Sequence, residues 1–178
     1  FQDAHIDIPQ NLAGMMLSAI ISDTLLLKSP TTTDHDGEAV KHLAKVAGVD
    51  YEEYGLQMLK AGTNLAAKSD EAIVDGDAKT FELADSKVRI GQVNTVDLDD
   101  VFSRQEGIEA AMQALMDENG YDTFVLIVTN ILNSDSDLLA LGANLDKVEA
   151  AFDKKLNDQK RMNLPGVVSR KKQVVPPL

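Results

Sequence analysis

Phe124-Val125-Leu126-Ile127-Val128 is the stretch on which the reading of this chain turns. Five consecutive apolar residues, most of them β-branched or aromatic, suit a strand buried on both faces, since a half-wet strand alternates polar and apolar positions. A central strand needs neighbours. Leu138 to Leu141 offers one, across the polar loop Asn133-Ser134-Asp135. Upstream, Thr80 to Leu83 and Lys87 to Val96 read as strands joined by the turn Ala84-Asp85-Ser86. Between them and the central strand, Val101, Ile108, Ala111, Met112 and Leu115 predict an amphipathic helix over about 99–118, stopped by Asn119-Gly120. A short helix capped by Ser69 reaches about Asp77, and another covers about Asn144 to Phe152. The chain from about residue 70 onward is therefore a mixed sheet flanked by helices.

The first third reads differently, as helices without strands. Pro9 suits a first helical turn, and Leu12, Met15, Met16, Ala19, Ile20, Ile21 and Leu25 follow it nearly all round the helix. Ser29-Pro30 is expected to end that helix, because the residue before a proline is pushed out of helical geometry. Thr33 can cap the next one, with Asp34 and Asp36 in its first turn and Gly48 as a left-handed stop. Asp50 and Glu53 resemble a capping box for a third, closed by Gly62. We place a helical piece at 1–63, a hinge at 64–69 and the sheet domain at 70–178.

Composition narrows the function. Of 178 residues 44% are hydrophobic and 26% charged, which supports a core. A formal net charge of -12 argues against a nucleic-acid partner, since phosphate backbones bind surfaces rich in Lys and Arg. A small phosphate ligand is not excluded, because a few converging cations suffice. The chain holds no cysteine, which excludes thiolate metal sites and cysteine nucleophiles and suits a reducing cytoplasm. The apolar stretch from Leu12 to Leu27 is interrupted by Ser18, Ser22, Asp23 and Thr24 and is short for a bilayer span, so no membrane association is expected. The chain opens on Phe1 rather than Met, as a processed or excised piece would.

Three features can carry chemistry. Asp23 sits among Ile20, Ile21, Leu25 and Leu26, so its carboxylate is expected in a restricted environment. There it is either a hard-metal ligand or bonded to nearby backbone N–H groups or Lys28. Ser169-Arg170-Lys171-Lys172-Gln173 places three consecutive cations between two valine pairs. Arginine offers a planar fork for phosphate oxygens and lysine a point charge, while a solvated charge run near the chain end is the other reading. Neighbouring side chains diverge, so at most two could reach one ligand. Lys79, between a helix and a strand, is by itself most simply a surface residue. His5, His35 and His42 read as surface residues, and no glycine-rich phosphate loop, nucleophile elbow or helix-borne zinc motif is present.

Several segments together resemble the family II inorganic pyrophosphatases of the DHH phosphoesterase superfamily. They are the run from Ala13 to Thr24, Lys28-Ser29-Pro30-Thr31, Tyr54-Gly55 and Met58-Leu59-Lys60-Ala61-Gly62. Further on come Asp77-Ala78-Lys79, Gln92-Val93-Asn94-Thr95-Val96 and the run from Gly166 to Pro176. The likeness spans essentially the whole chain, in order. It implies an α/β fold: a helical remnant of an N-terminal DHH domain, then the C-terminal mixed-sheet domain. It implies that Asp23 is a ligand of one of two active-site manganese ions, with magnesium able to accompany the substrate. It further implies that Lys79, Arg170 and Lys171 hold the phosphoryl oxygens of pyrophosphate, and that the parent enzyme hydrolyses it by two-metal catalysis.

One departure is specific. Family members carry a His-x-x-x-Asp-x-Asp segment and an Asp-His-His motif in their N-terminal part, and neither occurs in this chain. The remaining metal ligands and the general acid are therefore expected to be missing, the piece to be inactive alone, and a homodimer to form through the absent part. Two alternatives stand beside this reading: an exopolyphosphatase-like phosphoesterase, and a non-catalytic module in which Arg170 and Lys171 bind an anion without metal chemistry.

Overall fold

A computed structural model describes residues 6–83 and 85–178. His5 and Ala84, read above as a surface residue and part of a turn, lie outside the described residues. The chain divides into two compact units, Phe1–Gly62 and Thr63–Leu178.

The first unit holds α1 (Gln10–Thr24), α2 (Asp34–Ala47) and α3 (Tyr51–Gly62). Thr33 and Asp36 form a reciprocal capping box at the start of α2, which ends on Gly48 at φ 75°. Asp50 Oδ1 accepts the backbone N–H groups of Glu52 and Glu53 at 3.0 and 2.9 Å, opening α3. Ala13, Leu17 and Ile21 of α1 pack on Val40, Leu43 and Ala44 of α2. The hydroxyls of Ser18 and Tyr54 lie 2.6 Å apart, tying α1 to α3.

α1 departs from expectation at its end. It stops at Thr24, several residues before Pro30, because Leu25, Leu26 and Leu27 all adopt left-handed geometry with φ of 49°, 55° and 64°. That conformation costs an L-residue roughly 1–2 kcal/mol each. Compensation is local: Thr24 Oγ1 donates to Ile20 O at 2.7 Å and accepts Leu27 N–H at 3.1 Å, and Leu25 is buried. Nor is the helix covered all round, since Met15 is 70% exposed.

The second unit is a five-stranded mixed sheet in the order β1 (Ala78–Leu83), β2 (Ser86–Thr95), β3 (Thr123–Asn130), β4 (Asp135–Gly142), β5 (Arg161–Leu164). β2 and β3 are parallel, with Val88 opposite Thr123 and Thr95 opposite Asn130; the other pairs are antiparallel. The apolar run that opened the sequence reading lies in the middle strand, buried from Thr123 to Thr129. One sheet face carries Phe124, Leu126, Val128, Leu139 and Leu141 against α4 (Asp70–Asp75), α5 (Asp99–Phe102) and α6 (Gln105–Asn119). The other carries Val88, Ile90, Val125, Ile127, Leu138 and Ala140 against α7 (Leu145–Phe152) and Val174.

Two further differences from expectation have physical causes. The helix predicted over 99–118 breaks at Ser103-Arg104, where Arg104 leaves helical geometry at φ -114°. Its guanidinium caps Lys68 O at 3.1 Å and pairs with Asp70. β5 was not anticipated, since four residues give too short an alternation of Met162 and Leu164 with polar neighbours.

Gly91 lets α4 approach the sheet, because a Cβ there would lie 2.5 Å from Val74 O. Gly91→Ala is accordingly expected to destabilise the second unit by about 1–3 kcal/mol. An unchanged urea midpoint would show that α4 can retreat freely.

Burial pushes the Glu109 carboxyl up, but hydrogen bonds from Gln105 and Lys160 and the Lys160 charge outweigh it and hold the group below its ordinary value. A lowered folded-state pKa contributes stability above the unfolded value of about 4.3, lost as pH falls through the folded one. Glu109→Gln should therefore flatten the decline of the thermal midpoint on acidification below about pH 5, and an identical acid slope would contradict this.

Candidate phosphate-binding site

β1 is an edge strand, and its alternation sets which way Lys79 faces. Phe81 and Leu83 pack on the face of the sheet that holds Ile90 and Val174. Lys79 lies two residues before Phe81 and pairs with Ile90, so it belongs to that face, where it is exposed.

Arg170 reaches the same place from the other end of the chain. It opens a five-residue turn of wide, π-type helix, Arg170–Val174, in which Val175 N–H donates to Arg170 O at 2.8 Å. Wide turns of this kind are rare and recur at functional sites. The Arg170 side chain keeps only 10% of its surface in solvent, so its charge must be met by the protein. Nη2 donates to Asp77 Oδ1 at 2.8 Å, while Nη1 donates to Asp77 O and to Ile90 O. A guanidinium has five N–H donors in a fixed plane. Three are engaged here; those remaining, at Nε and Nη2, have no partner among the described residues. Lys171 and Lys172 point outward and are exposed.

Val174 anchors the turn in the core, and hydrogen bonds hold the segment before it. Gln173 Oε1 accepts Val168 N–H and Ser169 N–H at 3.0 and 3.1 Å, and its Nε2 donates to Gly166 O at 2.8 Å. Ser136 Oγ donates to Val167 O at 2.6 Å. From β2, Gln92 accepts Arg170 N–H at 3.1 Å and donates to Val168 O at 3.0 Å. Asp77, Gln92, Ser136 and Gln173 received no individual role in the sequence reading. The available signal was a glutamine interrupting the apolar alternation of β2.

Lys79 and Arg170 are thus brought to one face of the sheet, both against Ile90, with Lys171 next in the turn. Asp23 belongs to the first unit. It is exposed, which corrects the expectation of a restricted environment, and it makes no hydrogen bond or ion pair among the described residues. α1 buries the stripe Ala13, Leu17, Ile21 and Thr24, and Asp23 lies with Ser22 off that stripe, on the open side of the helix. His35 and His42 are exposed, as read from sequence.

An anchored arginine beside exposed lysines is chemically able to hold an oxyanion. The family model described as the DHHA2 domain matches residues 56–178. The chain belongs to the DHHA2 domain family. A probable manganese-dependent inorganic pyrophosphatase of Lactobacillus helveticus is 59% identical over 180 residues, covering 100% of this chain and 58% of that protein. One so named from Streptococcus equi subsp. equi is 58% identical over 178 residues, covering 100% of this chain and 57% of its own length. A crystal structure of a candidate family II inorganic pyrophosphatase from Methanococcus jannaschii superposes with a TM-score of 0.86 at 43% identity, over 97% of this chain and 56% of that one. The DHHA2 chain thus spans somewhat more than half the length of the relatives it matches. Its mixed α/β architecture, helices followed by a five-stranded sheet, is shared with that structure.

The Asp77 carboxylate is 63% exposed, so its pairing with Arg170 is partly screened. Asp77→Asn should cost the second unit about 1 kcal/mol, with a smaller difference at high salt. Equal urea midpoints for the two proteins at low salt would show that the two carbonyls alone hold Arg170.

Proposed function

We propose that this chain is the C-terminal portion of a manganese-dependent family II inorganic pyrophosphatase and supplies its phosphate clamp. The observation that carries the proposal is the Arg170 guanidinium, anchored on Asp77 and Ile90 with donors left over. On this reading residues 1–63 are the helical end of a DHH domain, 64–69 a hinge and 70–178 the substrate-binding DHHA2 domain. Arg170 grips two phosphoryl oxygens through its fork, while Lys79 and Lys171 neutralise the remaining charge. The whole enzyme converts pyrophosphate to two phosphates and is expected in the cytoplasm as a homodimer. Among the described residues no helix is long and apolar enough to cross a membrane.

Asp23 is the ligand this chain would offer to manganese. It does not make a metal site alone: among the described residues no group of three or more His, Cys, Asp or Glu converges. A dinuclear centre needs several hard donors, so the donor set here does not fit it. The chain's own contribution is binding and orienting the substrate, and the other ligands belong to the part of the relatives that it does not span.

The purified chain should bind pyrophosphate without added metal and release no phosphate above blank when manganese is supplied. Calorimetry and a phosphate-release assay measure the two. Hydrolysis at the rate of an intact relative would falsify the division of the site, and binding unaltered by Arg170→Ala would remove the clamp. Tripolyphosphate and long polyphosphate in the same titration separate this function from that of an exopolyphosphatase.

A further inference from the structure

Arg170 depends on β2 at both its ends, and one residue serves both. The Gln92 backbone N–H donates to Asp77 O at 2.9 Å, the carbonyl to which Arg170 Nη1 also donates. The Gln92 side chain meets the Arg170 main chain, its Oε1 accepting Arg170 N–H at 3.1 Å. Nε2 completes the set, donating to Val168 O at 3.0 Å and towards Thr129 Oγ1 at 3.4 Å. The orientation of the carboxamide is fixed by its partners, since a flipped amide would face an N–H with an NH2 and a carbonyl with an oxygen. One side chain therefore brackets Ser169, holding the chain just before and just after it.

We propose that Gln92 is a positioning residue of the clamp. Its carboxamide fixes where the wide turn begins and so aims Arg170, and Lys171 behind it, at the ligand. The proposal rests on the reading of this turn as a phosphate site. Gln92 touches no ligand itself. Replacing it leaves the cations in place and removes the frame that holds them, so the loss falls on affinity before it falls on folding. The geometry demands both functional groups and the full side-chain length. Asparagine is one methylene short of Val168 O and Arg170 N–H, and methionine has the length without the hydrogen bonds.

The test uses this chain, pyrophosphate as the probe, and NMR titration with amide hydrogen exchange. Gln92→Asn and Gln92→Met are each expected to weaken pyrophosphate binding about tenfold. The Arg170 amide should exchange faster while amides of β3 keep their protection. Lys79→Ala should weaken binding without altering Arg170 exchange. Affinity equal to the parent's in either Gln92 variant overturns the proposal. So does a general loss of protection with no change specific to Arg170, which is what a purely structural role produces. Arg170→Ala separates the two levels. If it too binds as tightly as the parent, the clamp reading fails; if it binds weakly while Gln92→Asn binds fully, only the role of Gln92 is withdrawn.

Discussion

A guanidinium that keeps one-tenth of its surface in water is the constraint to which the second unit answers. Such a charge is tolerated only where acceptors surround it, because an unmet buried charge costs several kcal/mol, roughly. The acceptors come from Asp77 and Ile90, some 93 and 80 positions away along the chain. They exist in the right place only if β1 and β2 are paired in their observed register and the C-terminal segment lies on their inner face. Shifting β1 by one residue would turn Lys79 and Phe81 to the opposite face. Pairing of strands and assembly of the cationic site are therefore one event.

The parallel pairing of β2 with β3 has a second consequence. Parallel strands need a crossover, here α5 and α6, which covers one face of the sheet and leaves the other to α7 and the C-terminal segment. On that second face the strands turn polar towards their C-terminal ends, where Gln92 and Thr129 replace the aliphatic residues preceding them. Ligand sites in α/β sheets gather at those ends. The glutamine, the threonine and Ser136 form the polar floor on which Val167 to Arg170 rests.

How much of this could be read from residues alone follows from the range of each interaction. β3 was legible because burial on both faces leaves no polar position, and α2 because Thr33, Asp36 and Gly48 act within a few residues of one another. The early end of α1 was not. Three successive left-handed leucines contradict every local preference, and they are sustained by the packing of Leu25, Leu26 and Leu27 with hydrogen bonds to Thr24 and Ile21. The exposure of Asp23 follows from its place off the buried stripe of α1, which its apolar sequence neighbours do not reveal. The basic run was ambiguous because the contacts that hold Arg170 are long-range. Asp77 and Gln92 had to be seen against Arg170, and no spacing rule joins residues so far apart.

On the proposed function, arginine and lysine divide the work at this site in a way that suits a multiply charged ligand. Arg170 is held by three hydrogen bonds and a wide turn, so little conformational freedom remains for a ligand to remove. Lys79 and Lys171 are exposed and keep theirs. On the proposed reading, the fixed fork sets where one phosphoryl group sits, and mobile point charges follow the others as charge redistributes. In a chain of net charge -12 long-range attraction cannot select a polyanion, so selection must come from contact. That places the burden of recognition on a frame built beforehand, and apart from the Asp77 carboxylate the frame consists of neutral groups: two glutamines, a serine and backbone carbonyls.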